Sequence, residues 1–383
     1  MAIVGKQYSG RENTELETSV DRHVRSFIDL IRRKYISTDS RVIPMDLSKK
    51  VQYLTLDIIS TIGLGRPFGM ILADADVDAY IQSSEEGLLI GNAFMAIGLG
   101  WLCQAAVIGR FLAPSPTDKS GFGKMLGLCY KWVDERWATH TTDKRNDMLA
   151  SFIRHGMTKD EVKSEAIEQI VAGSDTTASA LRGVLLYLMT NPRVYAKLRR
   201  EIDEAISQDK APSSSEGIIS NTAVKQLPYL AAVIREGIRV WPPVVNLFPH
   251  DVPPEGDTIV VDGREYYLPG GTEIGHSVQG MHHSREIFGD DAKAFRPERW
   301  LEEKDNERLT RMIKTSDLIF SHGRWMCLGK GIAQLELGKT IFEVLRNFDL
   351  APLNPTNPWT ARSPLGLFLV NDQWVIVTER EEA

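Results

Sequence analysis

The sequence predicts a mainly α protein with small antiparallel β-sheets gathered toward its C-terminal side. Three observations carry that expectation. Apolar residues recur at helical spacing through most of the chain up to Trp241. The texture then changes to short β-branched and aromatic runs separated by Asp-Gly and Pro-Gly-Gly turns. The 383 residues are 43% hydrophobic and 25% charged, which supplies a large core, and no linker forces a split, so one domain over 1–383 is expected.

The elements follow in order. Val20, Val24, Ile28, Leu30 and Ile31 space a helix over Glu15–Lys34, and Leu47–Gly63 reads as a second. Gly87–Ile108 is nearly continuous apolar sequence, interrupted by Asn92 and Gln104. Its length would suit a membrane span. Its glycines and mid-chain position favour two short helices joined by an apolar turn that touch a membrane surface. Phe122–His140 is a further helix, ending before the polar Thr141–Asn146 loop. Thr158-Lys159-Asp160-Glu161 is a capping box opening a long helix that Pro192 stops; apolar residues on several of its faces place it centrally. Pro192–Ser207 and Leu227–Arg239 are helical, with the Ser-rich Asp209–Asn221 loop between them and Trp241-Pro242-Pro243 as a break. Thr258–Val261 and Glu265–Leu268 form a hairpin around Asp262-Gly263, and Leu367–Val370 with Trp374–Thr378 reads as a last hairpin around Asn371-Asp372.

Bulk properties narrow the function. A net charge of −6 argues against nucleic acid as the partner. Three cysteines, Cys103, Cys129 and Cys327, lack zinc-type spacing and do not form a disulfide framework, so a reducing compartment is expected. Met1 is followed by polar sequence with no basic stretch before an apolar core, so a secretory leader is not expected.

The chemistry concentrates in Phe320-Ser321-His322-Gly323-Arg324-Trp325-Met326-Cys327-Leu328-Gly329. Here a cysteine lies in a Gly-rich loop just before an apolar helical run. Backbone N–H groups and the positive helix end at such a place favour thiolate, which is a good axial ligand for haem iron and promotes O–O cleavage. Gly323 and Gly329 suit close approach of a flat macrocycle or a positive-φ turn. The loop alone leaves a second reading open, a buried structural cysteine before a helix.

Three further motifs precede it. Ala172-Gly173-Ser174-Asp175-Thr176-Thr177 sets small and polar residues in mid-helix, at a cost of about 1 kcal/mol for the glycine. Asp175 and Thr176 there can handle protons, or the stretch can be a packed kink with Asp175 ion-paired. Glu236-Gly237-Ile238-Arg239 puts a carboxylate and a guanidinium on one helix face, which alone also describes an exposed ion pair. Phe295-Arg296-Pro297-Glu298-Arg299-Trp300 is a polar loop downstream.

In order and spacing these motifs resemble the cytochrome P-450 family, across roughly the last two thirds of the chain. Tyr8-Ser9-Gly10-Arg11-Glu12-Asn13, Pro297-Glu298-Arg299-Trp300 and Gly323-Arg324-Trp325 are similar to fungal biosynthetic members, of the benzoate-hydroxylase and pisatin-demethylase branches. The resemblance implies a P-450 fold and a haem-thiolate monooxygenase that inserts one oxygen atom from dioxygen into an apolar organic substrate of secondary metabolism. It implies haem b held by Cys327, with Phe320, Gly323, Arg324, Gly329 and His250 around it. Asp175 and Thr176 become the catalytic acid and alcohol, and Glu236, Arg239 and Arg299 a structural network on the haem-proximal side. Electrons are expected from NADPH through a separate flavoprotein reductase, since no flavin or dinucleotide fingerprint is present. The substrate pocket is expected to include the segment before Ala172, Val244–Phe248 and the turn at Ser363–Leu365. A parent form on the cytoplasmic face of the endoplasmic reticulum is also implied.

The chain departs from the pattern in three places. No Trp-x-x-x-Arg precedes Ser9, so it reads as lacking an N-terminal anchor, the first strands and early helices. Trp325 stands where many members place a basic residue two positions before the cysteine. His250 lies near the place of another propionate-binding cation. Two rival readings follow: a truncated, haem-poor or inactive fragment acting at most as an interaction protein, and isomerase or dehydratase chemistry on the same thiolate haem.

Overall fold

The computed structural model describes residues 13–105, 109, 113–139, 145–213, 216–245, 249–363 and 366–380. Tyr8–Glu12, Ile108, Leu247, Phe248 and Leu365, all named above, lie outside the described residues, as do 140–144 and 214–215.

Nine longer helices carry the fold among the described residues: α1 (Leu16–Lys34), α2 (Leu47–Leu64), α3 (Tyr80–Ala96), α4 (Gly121–Thr139), α5 (Lys159–Met189), α6 (Pro192–Ser207), α7 (Pro228–Val240), α8 (Asn306–Asp317) and α9 (Lys330–Asn347). Local chemistry sets their ends. Asp46 caps α2 by accepting from the Ser48 N–H at 3.1 Å, and left-handed Gly65 (φ 80°) terminates it. Thr158 and Glu161 form the expected capping box on α5. Pro192 and Pro228 open α6 and α7, where a missing N–H costs nothing.

Helix α2 is buried all round except at Lys49, and its largest interface is with α5. Around this pair, α4, α7 and α9 also pack on α5, and α1 lies across α2 and α9. Gly237 explains how α7 comes so close to α5. A Cβ there would stand 2.5 Å from Cγ2 of Val184 and 3.3 Å from its Cα, so only glycine admits this approach.

The strands are short: β1 (Met45–Asp46), β2 (His250–Asp251), β3 (Asp257–Val261), β4 (Arg264–Leu268), β5 (Glu273–Ile274), β6 (Phe348–Pro352), β7 (Thr360–Arg362), β8 (Leu369–Asn371) and β9 (Trp374–Glu379). The β3–β4 hairpin turns at Asp262-Gly263 as expected, with Val261 opposite Arg264. The last hairpin does not form. β8 pairs with β7, and β9 pairs with β1 and β6 in a three-stranded sheet. The reason lies in Gln373. It is fully buried, its Nε2 donates to the Arg182 carbonyl at 3.0 Å, and its own carbonyl accepts from Leu47 at 2.9 Å. Those bonds draw the chain out of the β7–β8 ladder and into a different sheet.

The apolar segment forms two helices joined by an apolar turn, as expected, the first being the end of a longer helix. Its first part belongs to the 17-residue α3, followed by a turn and a four-residue helix, Trp101–Gln104. Ile90, Met95, Ile97 and Trp101 are each about 60% exposed there. No described helix is long and apolar enough to cross a membrane.

Candidate active site

The cysteine loop is held from both ends. Two 3-10 turns, Leu318–Phe320 and Gly323–Trp325, bracket it. The Cys327 N–H donates to the Phe320 carbonyl at 2.7 Å, and Lys330 places its ammonium 5.1 Å from the Phe320 ring. Gly323 adopts φ 60°, the left-handed region that favours glycine; Ser321 does so too, at φ 56°, without that freedom. Gly329 has an ordinary φ of −83° and is the N-cap of α9, so its use here is its N–H.

Residues 322 to 328 are all exposed, including Trp325, Met326 and Leu328. Sequence reasoning expected the backbone donors to favour thiolate. The N–H groups of Gly329 and Lys330 do point at the Cys327 sulfur, and the Lys330 charge helps them. Although the residue as a whole is exposed, protein atoms around the sulfur partly desolvate it, and that outweighs these effects and raises the thiol above its usual value. The second described free cysteine, Cys129, is wholly buried against Met125, and burial pushes it up to about 12.

Trp325 has two basic residues beside it. The His250 ring on β2 lies 5.4 Å from it and the Arg324 guanidinium 4.8 Å above it. Neither His250 nor Arg324 makes an ion pair within the described structure. Val244 and Val245, the described part of the Val244–Phe248 run expected at the pocket, lie in a segment tied to Gly366–Phe368 by Val245 N–H to the Gly366 carbonyl (2.6 Å) and Phe368 N–H to the Pro243 carbonyl (3.0 Å).

Helix α5 separates the two residues expected to share proton handling. Neighbours on a helix are set about 100° apart. The Thr176 hydroxyl donates to the Ala172 carbonyl at 2.8 Å on a side where Ala172 is exposed. Asp175 is 5% exposed and turns toward α2, where Gln52 Nε2 donates to its Oδ1. It is neither kinked nor directly ion-paired. Burial raises its carboxyl to about 6, against the pull of the Arg182 charge.

Glu236 is the centre of a buried network. Arg239 donates to it through Nε (2.9 Å) and Nη2 (2.8 Å), Arg299 through Nε (2.8 Å), Trp300 through Nε1 (2.9 Å) and the Arg296 backbone N–H at 2.9 Å. The remaining guanidinium donors reach the carbonyls of His282, Phe288, Asp291, Ala292 and Ala294. All three charged residues are 2% exposed or less. This is no exposed helical pair. His282 is buried with Nδ1 donating to the Arg239 carbonyl at 3.2 Å, and burial lowers it to about 4.

A family model described as Cytochrome P450 matches residues 6–376. The chain belongs to the cytochrome P450 family. This P450 is 39% identical over 385 residues to the cytochrome P450 monooxygenase ABA1 of Pyricularia oryzae, spanning 99% of this chain and 73% of that protein. It is 37% identical to the aba1 monooxygenase of Botryotinia fuckeliana, over 98% of this chain and 72% of that one. The ACRTS1 monooxygenase of Alternaria alternata is 30% identical over 99% of this chain and 98% of its own length. The crystal structure of the cytochrome P450DA haem domain superposes with a TM-score of 0.76 over 99% of this chain and 75% of that one; at 16% identity the likeness shows the fold. The protein is therefore a cytochrome P450 monooxygenase, an oxidoreductase whose family cofactor is haem. The residues fit that group: a sulfur receiving two N–H donors, an exposed loop around it that carries Trp325, Met326 and Leu328, and two basic residues with no ion pair beside Trp325.

Gln52 and Arg182 escaped sequence reasoning. The available signal was a glutamine set among Val51, Tyr53, Leu54 and Leu56 of α2.

Proposed function

We propose that this P450 inserts one oxygen atom of dioxygen into an apolar organic substrate of secondary metabolism, with electrons from NADPH delivered by a separate flavoprotein reductase. The observation that carries the reading is the Cys327 sulfur, offered in an exposed loop and met by two backbone N–H groups. Bound haem supplies dioxygen activation there, with the thiolate as its ligand. Phe320 closes the loop, Gly323 turns it, and Arg324 and His250 are the hydrogen-bond donors available to the propionates. Thr176 offers a hydroxyl on the open side of α5, and Asp175 holds an exchangeable proton behind it. Glu236, Arg239 and Arg299 keep the underlying core in one arrangement.

The test uses reductase, NADPH, isotopically labelled dioxygen and a substrate chosen by spectral shift from apolar terpenoids, polyketides and aromatics. One labelled atom is expected in the product. Label arriving from water instead sinks the monooxygenase reading. Thr176→Val keeps volume but removes the hydroxyl, so product per NADPH should fall by about tenfold or more while peroxide release rises.

The exposed apolar surface of Ile90, Met95, Ile97 and Trp101 supports a second element of the proposal, contact with a membrane surface beside the substrate entrance. Ile90→Asp with Ile97→Asp is expected to remove the chain from the liposome fraction in flotation. Unchanged partitioning of the double variant counts against that contact.

A further inference from the structure

Asp175 has one hydrogen-bond partner among the described residues, and that partner has a second attachment. Gln52 Oε1 accepts from Arg182 Nη2 at 2.6 Å, while Arg182 also donates to the Ser48 carbonyl through Nε at 2.9 Å and Nη2 at 2.5 Å. Gln52 and Arg182 are each 2% exposed. The amide of a glutamine can usually be placed either way round. Here chemistry decides. A guanidinium has donors only, so the Gln52 oxygen must face Arg182 and its N–H must face Asp175. Asp175 Oδ1 is thereby committed as an acceptor. No hydrogen bond engages Oδ2 within the described residues.

We propose that Gln52 is a positioning residue for Asp175: oriented by Arg182, its amide pins Oδ1 so that the exchangeable proton is carried on Oδ2. This rests on the reading of Asp175 and Thr176 as the proton-handling pair. The donated N–H favours the ionised carboxylate, and burial disfavours it. The charges acting on Asp175 are Arg182, which favours ionisation, and Glu85 of α3, which opposes it. The phenol of Tyr80, also on α3, lies within the field of Asp175. Their opposition leaves the carboxyl about 6, where it both holds and yields a proton near neutral pH. Arg182 acts on Asp175 through charge and through the glutamine, with no direct bond. The glutamine is therefore the part that sets geometry.

The experiment is an infrared titration of the protonated-carboxyl stretch in the purified holoenzyme, with Asp175→Asn identifying the band. In Gln52→Leu the midpoint should rise by about one pH unit or more, since the donor to the charged form is gone. In Gln52→Glu, nearly isosteric and still an acceptor for Arg182, it should rise further, because an oxygen now faces Asp175. Gln52→Glu also reads the effect if the leucine variant does not fold. A midpoint that stays within a few tenths of a unit in both variants overturns the proposal. The pH profile of product formation should move with the band. A shifted band with an unmoved profile confirms the hold on the carboxyl and overturns instead the assignment of proton handling to Asp175.

Discussion

Cys327→Ala is expected to abolish the strongly red-shifted Soret band of the reduced carbon monoxide complex, and with it all monooxygenase activity. The expectation follows from the contrast between the two described cysteines. The Cys327 sulfur sits in an exposed loop with the N–H groups of Gly329 and Lys330 directed at it. Cys129 is wholly buried, 3.3 Å from the Met125 sulfur, and pushed up to about 12. A thiol so placed stays protonated and out of reach, so it cannot replace the lost ligand. Cys129→Ala therefore serves as the control and should keep the band. Its cost is stability alone, about 1 to 2 kcal/mol for a small buried side chain. Retention of the red-shifted band in Cys327→Ala sinks the assignment of the axial ligand. Loss of the band in Cys129→Ala with the fold intact does so equally.

The second large effect is expected from Glu236→Ala. This carboxylate receives five hydrogen bonds and, among the described residues, is the only carboxylate that pairs with Arg239. Arg299 retains Asp291 at 3.1 Å when Glu236 is removed, but Arg239 keeps only carbonyl oxygens. An uncompensated guanidinium that is 0% exposed is the costly case, about 3–5 kcal/mol. Such a loss is a large share of the roughly 5–15 kcal/mol that holds a typical domain together. The expected result is a collapse of soluble yield, or a large fall in the urea midpoint where protein is recovered. Trp300→Phe removes one donor and leaves both arginines paired, so about 1 kcal/mol is expected. Similar midpoints for the two variants argue that charge compensation is not what Glu236 contributes.

The helices were readable because their signals are local. The Thr158 capping box, Pro192 and Pro228 mark ends that need no tertiary contact to interpret. The α7 pair Glu236 and Arg239 was visible as spacing, but its burial was not, because burial depends on Gly237 admitting α7 onto α5. The β8–β9 turn misled for the opposite reason. Asn371-Asp372 is good hairpin sequence, and the bonds that override it come from Arg182 and Leu47, far away in the chain. At the site, Asp175 and Thr176 are adjacent in sequence, which invites one shared role. Helix geometry sends one side chain to Gln52 and the other to the open side. Gln52 itself could not be paired with Asp175 from sequence, since 123 positions separate them.

The seam formed by β9 has a consequence for how the protein is made. Met45 and Asp46 pair with Val375 and Trp374, and Gln373 bonds both to Leu47 and to Arg182. A ribosome delivers Gln373 long after it has released the first turns of α2 and the whole of α5. Until then the nascent chain carries α2, a helix buried on nearly every side in the finished fold, with its N-terminal end lacking its final partners. Closure of that seam has to wait for β9, and contacts this distant in sequence form slowly. The interval between synthesis of α2 and emergence of β9 is when the polypeptide depends most on chaperones, and a premature stop just before Gln373 would leave it there permanently.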